Sequence, residues 1–221
     1  HLGNLCRWQE ELDGLYKEQG FAMNQGKRLE NGSIELEYVQ GETLAELLDG
    51  LLAAGQEESA AEELKVFIKR VQKPLEKLPE IPFTITDRFR EVFWNEEETM
   101  EADEDLRRES DEELLAKIAD MKIKSLPITN IDLICSNVIL GEPMTMIDCE
   151  WCFDFPIPIS YLVYRILHYY IRTGSNRAGL EAFDLFAWAG ITKDQEIVYE
   201  TMERSFQKYI NRGHTSLDKM F

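Results

Sequence analysis

Asp132, Asn137 and Asp148 are the residues of this chain whose types and spacing could do chemistry. They stand in NIDLICSNVILGEPMTMIDCEWCFD, residues 130–154, which also holds the pair Cys149 and Cys152. Handling a triphosphate takes a divalent cation on hard oxygen ligands and a carboxylate that orients the reacting hydroxyl. A loop supplying Asp132 and, five positions on, Asn137 can aim both side chains into one cleft, the Asp at an acceptor and the Asn oxygen at a metal. NVIL (137–140) and MTMID (144–148) are short β-like runs around Gly141-Glu142-Pro143. They read as a hairpin that returns Asp148 to the same place. The plainer alternative makes Asp132 and Asn137 turn formers and Asp148 the cap of the next segment.

The C-x-x-C pair invites a zinc or redox reading, and the surrounding sequence argues against both. A structural zinc site needs a second pair, and neither His168 nor His214 stands at a supporting spacing. A redox pair wants its first cysteine at a helix N-terminus. Here FDFPIP follows, and Pro156 and Pro158 disfavour an immediate helix. Core packing is the expectation for both cysteines. Trp151, Phe153 and Phe155 are likewise expected in the core, and Glu150 either supports a metal or braces the loop.

Several elements must position these residues. Leu2, Leu5, Trp8, Leu12 and Leu15 recur at helical steps, predicting a helix over 2–18 that Gly20 stops. Ile34, Leu36 and Tyr38 alternate with Glu35 and Glu37, and Asn31-Gly32 is a turn signal, so 21–40 reads as a two-stranded hairpin. A helix over 42–55 has Thr43 as its N-cap. An amphipathic helix over 57–78 carries Leu64, Phe67, Ile68, Val71 and Leu75 and is broken by Pro79 and Pro82. A short helix is expected over 85–94. The acid-dense 95–115 reads as solvated loop and helix surface. From 159 the pattern is helical again, with SYLVYRILHYYIRTG apolar almost all round and two more helices near 178–189 and 193–211. Arg165, inside that apolar helix, must find a partner, for which a loop acid is the candidate.

Composition narrows the function classes. The chain has 221 residues, 44% of them hydrophobic, enough for one large domain or two small lobes around a cleft. A net charge of −18 repels nucleic acid and anionic membranes, so no nucleic-acid partner is expected. The most apolar stretch, 156–171, is too short to span a bilayer and carries Arg165 and His168. Four scattered cysteines suit a reduced, cytoplasmic chain better than a disulfide framework. The start at His1 rather than Met reads as a piece of something longer.

The stretch 130–154 resembles the catalytic and metal loops of kinase-like phosphotransferases. The branch is that of aminoglycoside phosphotransferases and choline kinases, which carry I-D-x-E where protein kinases have D-F-G; here that is Ile147-Asp148-Cys149-Glu150. ELEYVQGETLAELL, residues 35–48, is similar to the strand, interlobe hinge and first helix of the same branch. NIDLICSNVIL and IDCEWCFDFPIPISYLVYR resemble more narrowly the kinase-like domains attached to bacterial glycosyltransferases and methyltransferases of surface-polysaccharide assembly. Together the matches cover roughly residues 20 to 170.

The resemblance implies an α+β, protein-kinase-like two-lobed fold, with a truncated small N-lobe (helix plus hairpin) over 1–40 and a mostly helical C-lobe over 41–221. It implies ATP and Mg2+ as cofactors, with Asp132 orienting the acceptor, Asn137 and Asp148 on the metal, and hinge backbone at Glu37 and Val39 on adenine. The acceptor it implies is a small molecule or glycan hydroxyl, and the partners are the other domains of a larger parent chain. Three departures stand out. Asn130 takes the place of the usual His two residues before the catalytic Asp. No Gly-rich phosphate loop or strand Lys precedes the first helix. Glu10 and Glu11 are equal candidates for that Lys's usual partner. These departures keep open an alternative from another class, a catalytically silent kinase-like docking or regulatory module.

Overall fold

In a computed structural model the described residues are 2–94, 113–114, 116–117, 121–172, 174 and 177–211. Most of the acidic stretch 95–115, and His214, lie outside them. The fold is α+β, and the described residues form helices and four small separate sheets. The chain divides into two compact units, His1–Pro79 with Lys124–Gly190, and Glu80–Ile123 with Ile191–Phe221.

The first unit opens with helix α1 (Leu2–Tyr16), continued by a 3-10 turn (Lys17–Gln19). Its buried face is Trp8, Gln9, Leu12 and Tyr16. Gly20 stops it with φ 75°, a backbone that strains other residues. Strands β1 (Phe21–Met23), β2 (Gly26–Arg28) and β3 (Ile34–Leu36) follow. The expected hairpin over 21–40 is therefore shorter than its sequence suggests: β2 and β3 pair antiparallel, Gly26 opposite Leu36 and Arg28 opposite Ile34. The turn spans Leu29–Ser33, where Asn31 Oδ1 accepts from the Ser33 N–H at 3.0 Å. Phe21–Met23 instead joins another sheet, because Phe21 and Met23 are apolar on the face that must be buried.

Helix α2 (Leu44–Ala53) begins at the expected cap. Thr43 accepts the Glu46 N–H, and Glu46 reaches back to the Thr43 N–H at 2.7 Å. Helix α3 (Glu57–Gln72) ends sooner than expected. Pro74 cannot donate an N–H and crowds the preceding turn, so the chain continues as a 3-10 turn over Lys73–Lys77. Within the same unit lie β6 (Thr129–Asn130), β7 (Val138–Ile139), β8 (Met144–Met146), β9 (Cys152–Phe153), helix α5 (Ile159–Arg172) and the short α6 (Leu185–Trp188). The expected β7–β8 hairpin is present, with Val138 opposite Met146, and β1 extends it in parallel, Phe21 opposite Met144. Helix α5 buries Tyr161–Leu167 without a break. No described helix is long and apolar enough to cross a membrane.

The second unit pairs β4 (Ile81–Pro82) with β5 (Lys122–Ile123) and contains α4 (Asp87–Phe93), capped by Thr86, and α7 (Lys193–Asn211). Its core is aromatic: Phe89 lies 5.1 Å from Phe83 and 5.3 Å from Phe93, and Phe93 meets Phe206 at 5.9 Å.

One side chain ties the first unit's helices to its sheet. Arg70 of α3 donates to the carbonyls of Gln19 and Gly20, both at 2.9 Å, touches Met144 Sδ at 3.3 Å and lies 4.6 Å from the Phe21 ring centre. It closes the exposed end of the first helix with a planar cation whose fork no lysine reproduces. Arg70→Ala is expected to lower unfolding free energy by about 2–3 kcal/mol, two charge-assisted bonds less what water restores. Urea denaturation of the two proteins checks this, and a loss below about 0.5 kcal/mol, the scale of an ordinary surface change, refutes it.

Candidate active site

The loop carrying Asp132 is built on backbone pairing. Strand β6 leads into it and lies antiparallel to β9, with Asn130 opposite Cys152. The Ile131 N–H then donates to the Trp151 carbonyl at 3.1 Å. The segment before Asp132 and the segment after Asp148 are thus one two-stranded piece. Beyond it the chain turns tightly. The Asp132 carbonyl accepts from the Ile134 N–H at 2.8 Å and from the Asn137 side chain, Nδ2, at 2.9 Å. A 3-10 turn over Cys135–Asn137 delivers Asn137, whose own carbonyl accepts the Ile147 N–H at 2.9 Å.

Asn130 spans the loop. Its Oδ1 accepts the Asp132 N–H at 2.9 Å and its Nδ2 donates to the Asp148 carbonyl at 3.3 Å. An amide, donor and acceptor at once, can do this without a charge. Asp148 has φ 58°, a left-handed backbone that aspartate tolerates better than most residues, and its side chain is exposed. The three residues singled out by spacing are therefore brought together through their backbones. Asp132 and Asp148 are near enough for the charge of one to act on the other.

Asp132 is largely buried, and its Oδ2 accepts the Trp151 N–H at 2.9 Å. Burial pushes its pKa up to about 6; the Trp151 bond opposes that rise, the Asp148 charge adds to it, the Arg165 charge opposes it and the Glu150 charge adds again. Arg165 is 3% exposed and donates Nε–H to the Ile131 carbonyl at 2.9 Å, bracing the loop one residue before Asp132.

The Asn137 amide nitrogen is committed to the Asp132 carbonyl, which leaves Oδ1 as the side chain's hard oxygen donor. Among the described residues no three His, Cys, Asp or Glu side chains gather to hold a metal ion. A cation at this place would rest on Asn137 Oδ1 and the Asp148 carboxylate, taking its other ligands from phosphate and water. That division suits Mg2+, which keeps several waters. Cys149 and Cys152 are free and buried, and the Cys152 thiol donates to the Cys149 carbonyl at 3.2 Å. That bond is local packing within a turn. Phe153 and Phe155 are buried side by side, 5.2 Å between ring centres.

A cavity of about 280 Å³ adjoins Asp148. Leu5, Trp8 and Leu36 supply apolar wall; Gln9, Asn24, Asp148 and Glu150 supply polar groups. Sequence reading missed Gln9 and Asn24. Gln9 is 2% exposed on the helix face expected to be apolar, with Nε2 donating to the Asn24 carbonyl at 2.7 Å and Oε1 accepting the Gly26 N–H at 3.0 Å. Asn24 Oδ1 is buried with no hydrogen-bond partner among the described residues. Glu10 and Glu11 are exposed, and Glu11 faces Arg7 at 3.8 Å.

Glu37 and Val39 lie between β3 and α2, Glu37 exposed and Val39 half-buried, and neither lines this cavity; Leu36 does. The segment after them packs on the site hairpin. The Leu140 N–H donates to the Glu42 carbonyl at 2.8 Å, and a Cβ on Gly41 would stand 2.5 Å from Ile139 Cγ2. Only glycine permits that approach.

Comparison of the chain with protein-family models, with curated proteins and with solved structures finds no match.

The raised pKa of Asp132 has a consequence for stability. Folding lifts it from the 3.8 of a free aspartate to about 6, so the folded state holds the proton more tightly than the unfolded state. The resulting stabilisation is complete below about pH 4 and is lost as pH rises through 6. Asp132→Asn keeps the acceptor for Trp151 and removes the ionisation. The variant is expected to exceed the parent by about 1–3 kcal/mol at pH 8, with the gap closing toward pH 4. Urea midpoints across that range measure it; a gap independent of pH would contradict the assignment.

Proposed function

We propose that this chain is a kinase-like phosphotransferase domain of two-lobed type, moving a phosphoryl group from ATP to a hydroxyl of a small molecule or glycan. Its setting is a larger protein of cell-surface polysaccharide assembly. The observation that carries the reading is the double use of the Asp132 carbonyl. By holding the Asn137 amide nitrogen, it leaves that side chain's oxygen as the donor to a cation, on a loop whose Asp132 lies within electrostatic reach of Asp148 and Glu150.

The roles follow from chemistry at these atoms. Asp132, with a pKa of about 6, is ionised at neutral pH yet basic enough to accept a hydroxyl proton as the acceptor attacks. Asn137 Oδ1 and Asp148 hold Mg2+, which supplies charge neutralisation on the phosphates. Asn130 keeps Asp132 and Asp148 at fixed separation by holding one backbone N–H and one carbonyl. Glu37 and Val39 offer hinge backbone to adenine. The cavity beside Asp148, with apolar walls from Leu5, Trp8 and Leu36 and polar groups from Gln9, Asn24 and Glu150, suits a flat group with polar edges.

Mg2+-dependent turnover of ATP by the intact parent protein tests this. Asp132→Ala and Asp148→Asn, the latter chosen because asparagine tolerates the left-handed backbone, are each expected to lower the rate roughly 100-fold or more while nucleotide binding by Asp132→Ala persists. Unchanged rates in both variants refute the roles. Nucleotide uptake without turnover in the parent would favour the silent docking module instead.

A further inference from the structure

A second cavity, of about 420 Å³, is lined by Lys69, Gln72, Lys73, Leu75, Glu76, Lys124 and Ile159. None of these residues belongs to the site above. Three lysines line it from separate parts of the first unit: Lys69 from the last turn of α3, Lys73 from the 3-10 turn, and Lys124 from the segment leading to Thr129. One carboxylate, Glu76, is present, paired with Lys73 at 2.8 Å. Lys69 lies 5.7 Å from the centre of the Trp188 ring, and its charge also acts on Glu62. Lys124, half-buried, donates to the neutral Leu75 carbonyl at 3.2 Å. The lining therefore carries a net two positive charges on a chain whose total is −18.

Cations at the end of a helix offset its carbonyl partial charges, which accounts for Lys69 and Lys73 along α3. It does not account for Lys124 meeting them from another segment around a concavity. A partly desolvated ammonium with a neutral acceptor gains most from an anion.

We propose that this cavity binds the phosphate group of a small phosphorylated metabolite. Two net positive charges match a phosphate monoester, which carries about −1.5 to −2 at neutral pH and offers three acceptor oxygens. The volume, in the range of small-molecule sites, exceeds what inorganic phosphate fills and leaves Leu75 and Ile159 to meet the organic part. The site is separate from the phosphotransferase reading and stands or falls without it.

Calorimetric titration with glucose 6-phosphate, against glucose and glucuronate, tests it at low ionic strength. Binding of the phosphate ester alone is expected, weakening below about pH 6 as the phosphate takes up its second proton and weakening with added salt. Lys69→Met with Lys73→Met, both exposed positions, should weaken binding roughly tenfold or more, as should Lys124→Met. Lys77→Met, on the same turn but outside the cavity, should stay within about twofold. Matching thermal melts establish that the variants fold. No binding at about 10 mM ester, or an equal loss in Lys77→Met, overturns the proposal.

Discussion

A single backbone oxygen, that of Asp132, accepts two hydrogen bonds, and the candidate site depends on it. The Ile134 N–H closes the turn and the Asn137 side chain closes the loop. Buried polar backbone must find partners somewhere, and here one carbonyl satisfies both a turn and a distant side chain. The Asn137 carbonyl in turn accepts the Ile147 N–H, next to Asp148.

Electrostatics then works against the fold locally. Asp132 is placed away from water, near the charges of Asp148 and Glu150, in a chain already strongly anionic. Arg165 supplies opposite charge without being spent on the carboxylate in its Nε contact, which goes to the Ile131 carbonyl. The result is an acid whose affinity for a proton sits near neutrality. Such groups cost stability and tend to be kept where chemistry uses them. The buried cysteines differ from Asp132: the Cys152 thiol donates to the Cys149 carbonyl, and the Cys149 thiol meets Cys152 and Gln9.

Much of the architecture was legible in the residues. Thr43 reads as a helix cap and Gly20 as a helix stop, and the β7–β8 hairpin follows from two short apolar runs around Gly141 and Pro143. The failures have local causes. Helical periodicity runs on to Leu75, whereas Pro74 ends α3 at Gln72. Phe21–Met23 was joined to the nearest strand in sequence, whereas its apolar faces are buried against Met144–Met146. Gln9 sat unnoticed in an apolar helical stripe, because a helix face pattern marks what is buried and not what a buried amide will bond.

The sequence by itself determined which residues could form a carboxylate and amide set, since spacing places Asp132 and Asn137 on one loop and a hairpin returns Asp148. Tertiary structure alone decided that Asp132 is desolvated and raised in pKa, that Asn130 bridges to Asp148, and that Lys124 meets Lys69 and Lys73. Periodicity and turn chemistry act over a few residues and can be read along a chain. Burial and convergent charge depend on atoms brought together from far apart in it, and no local pattern records them.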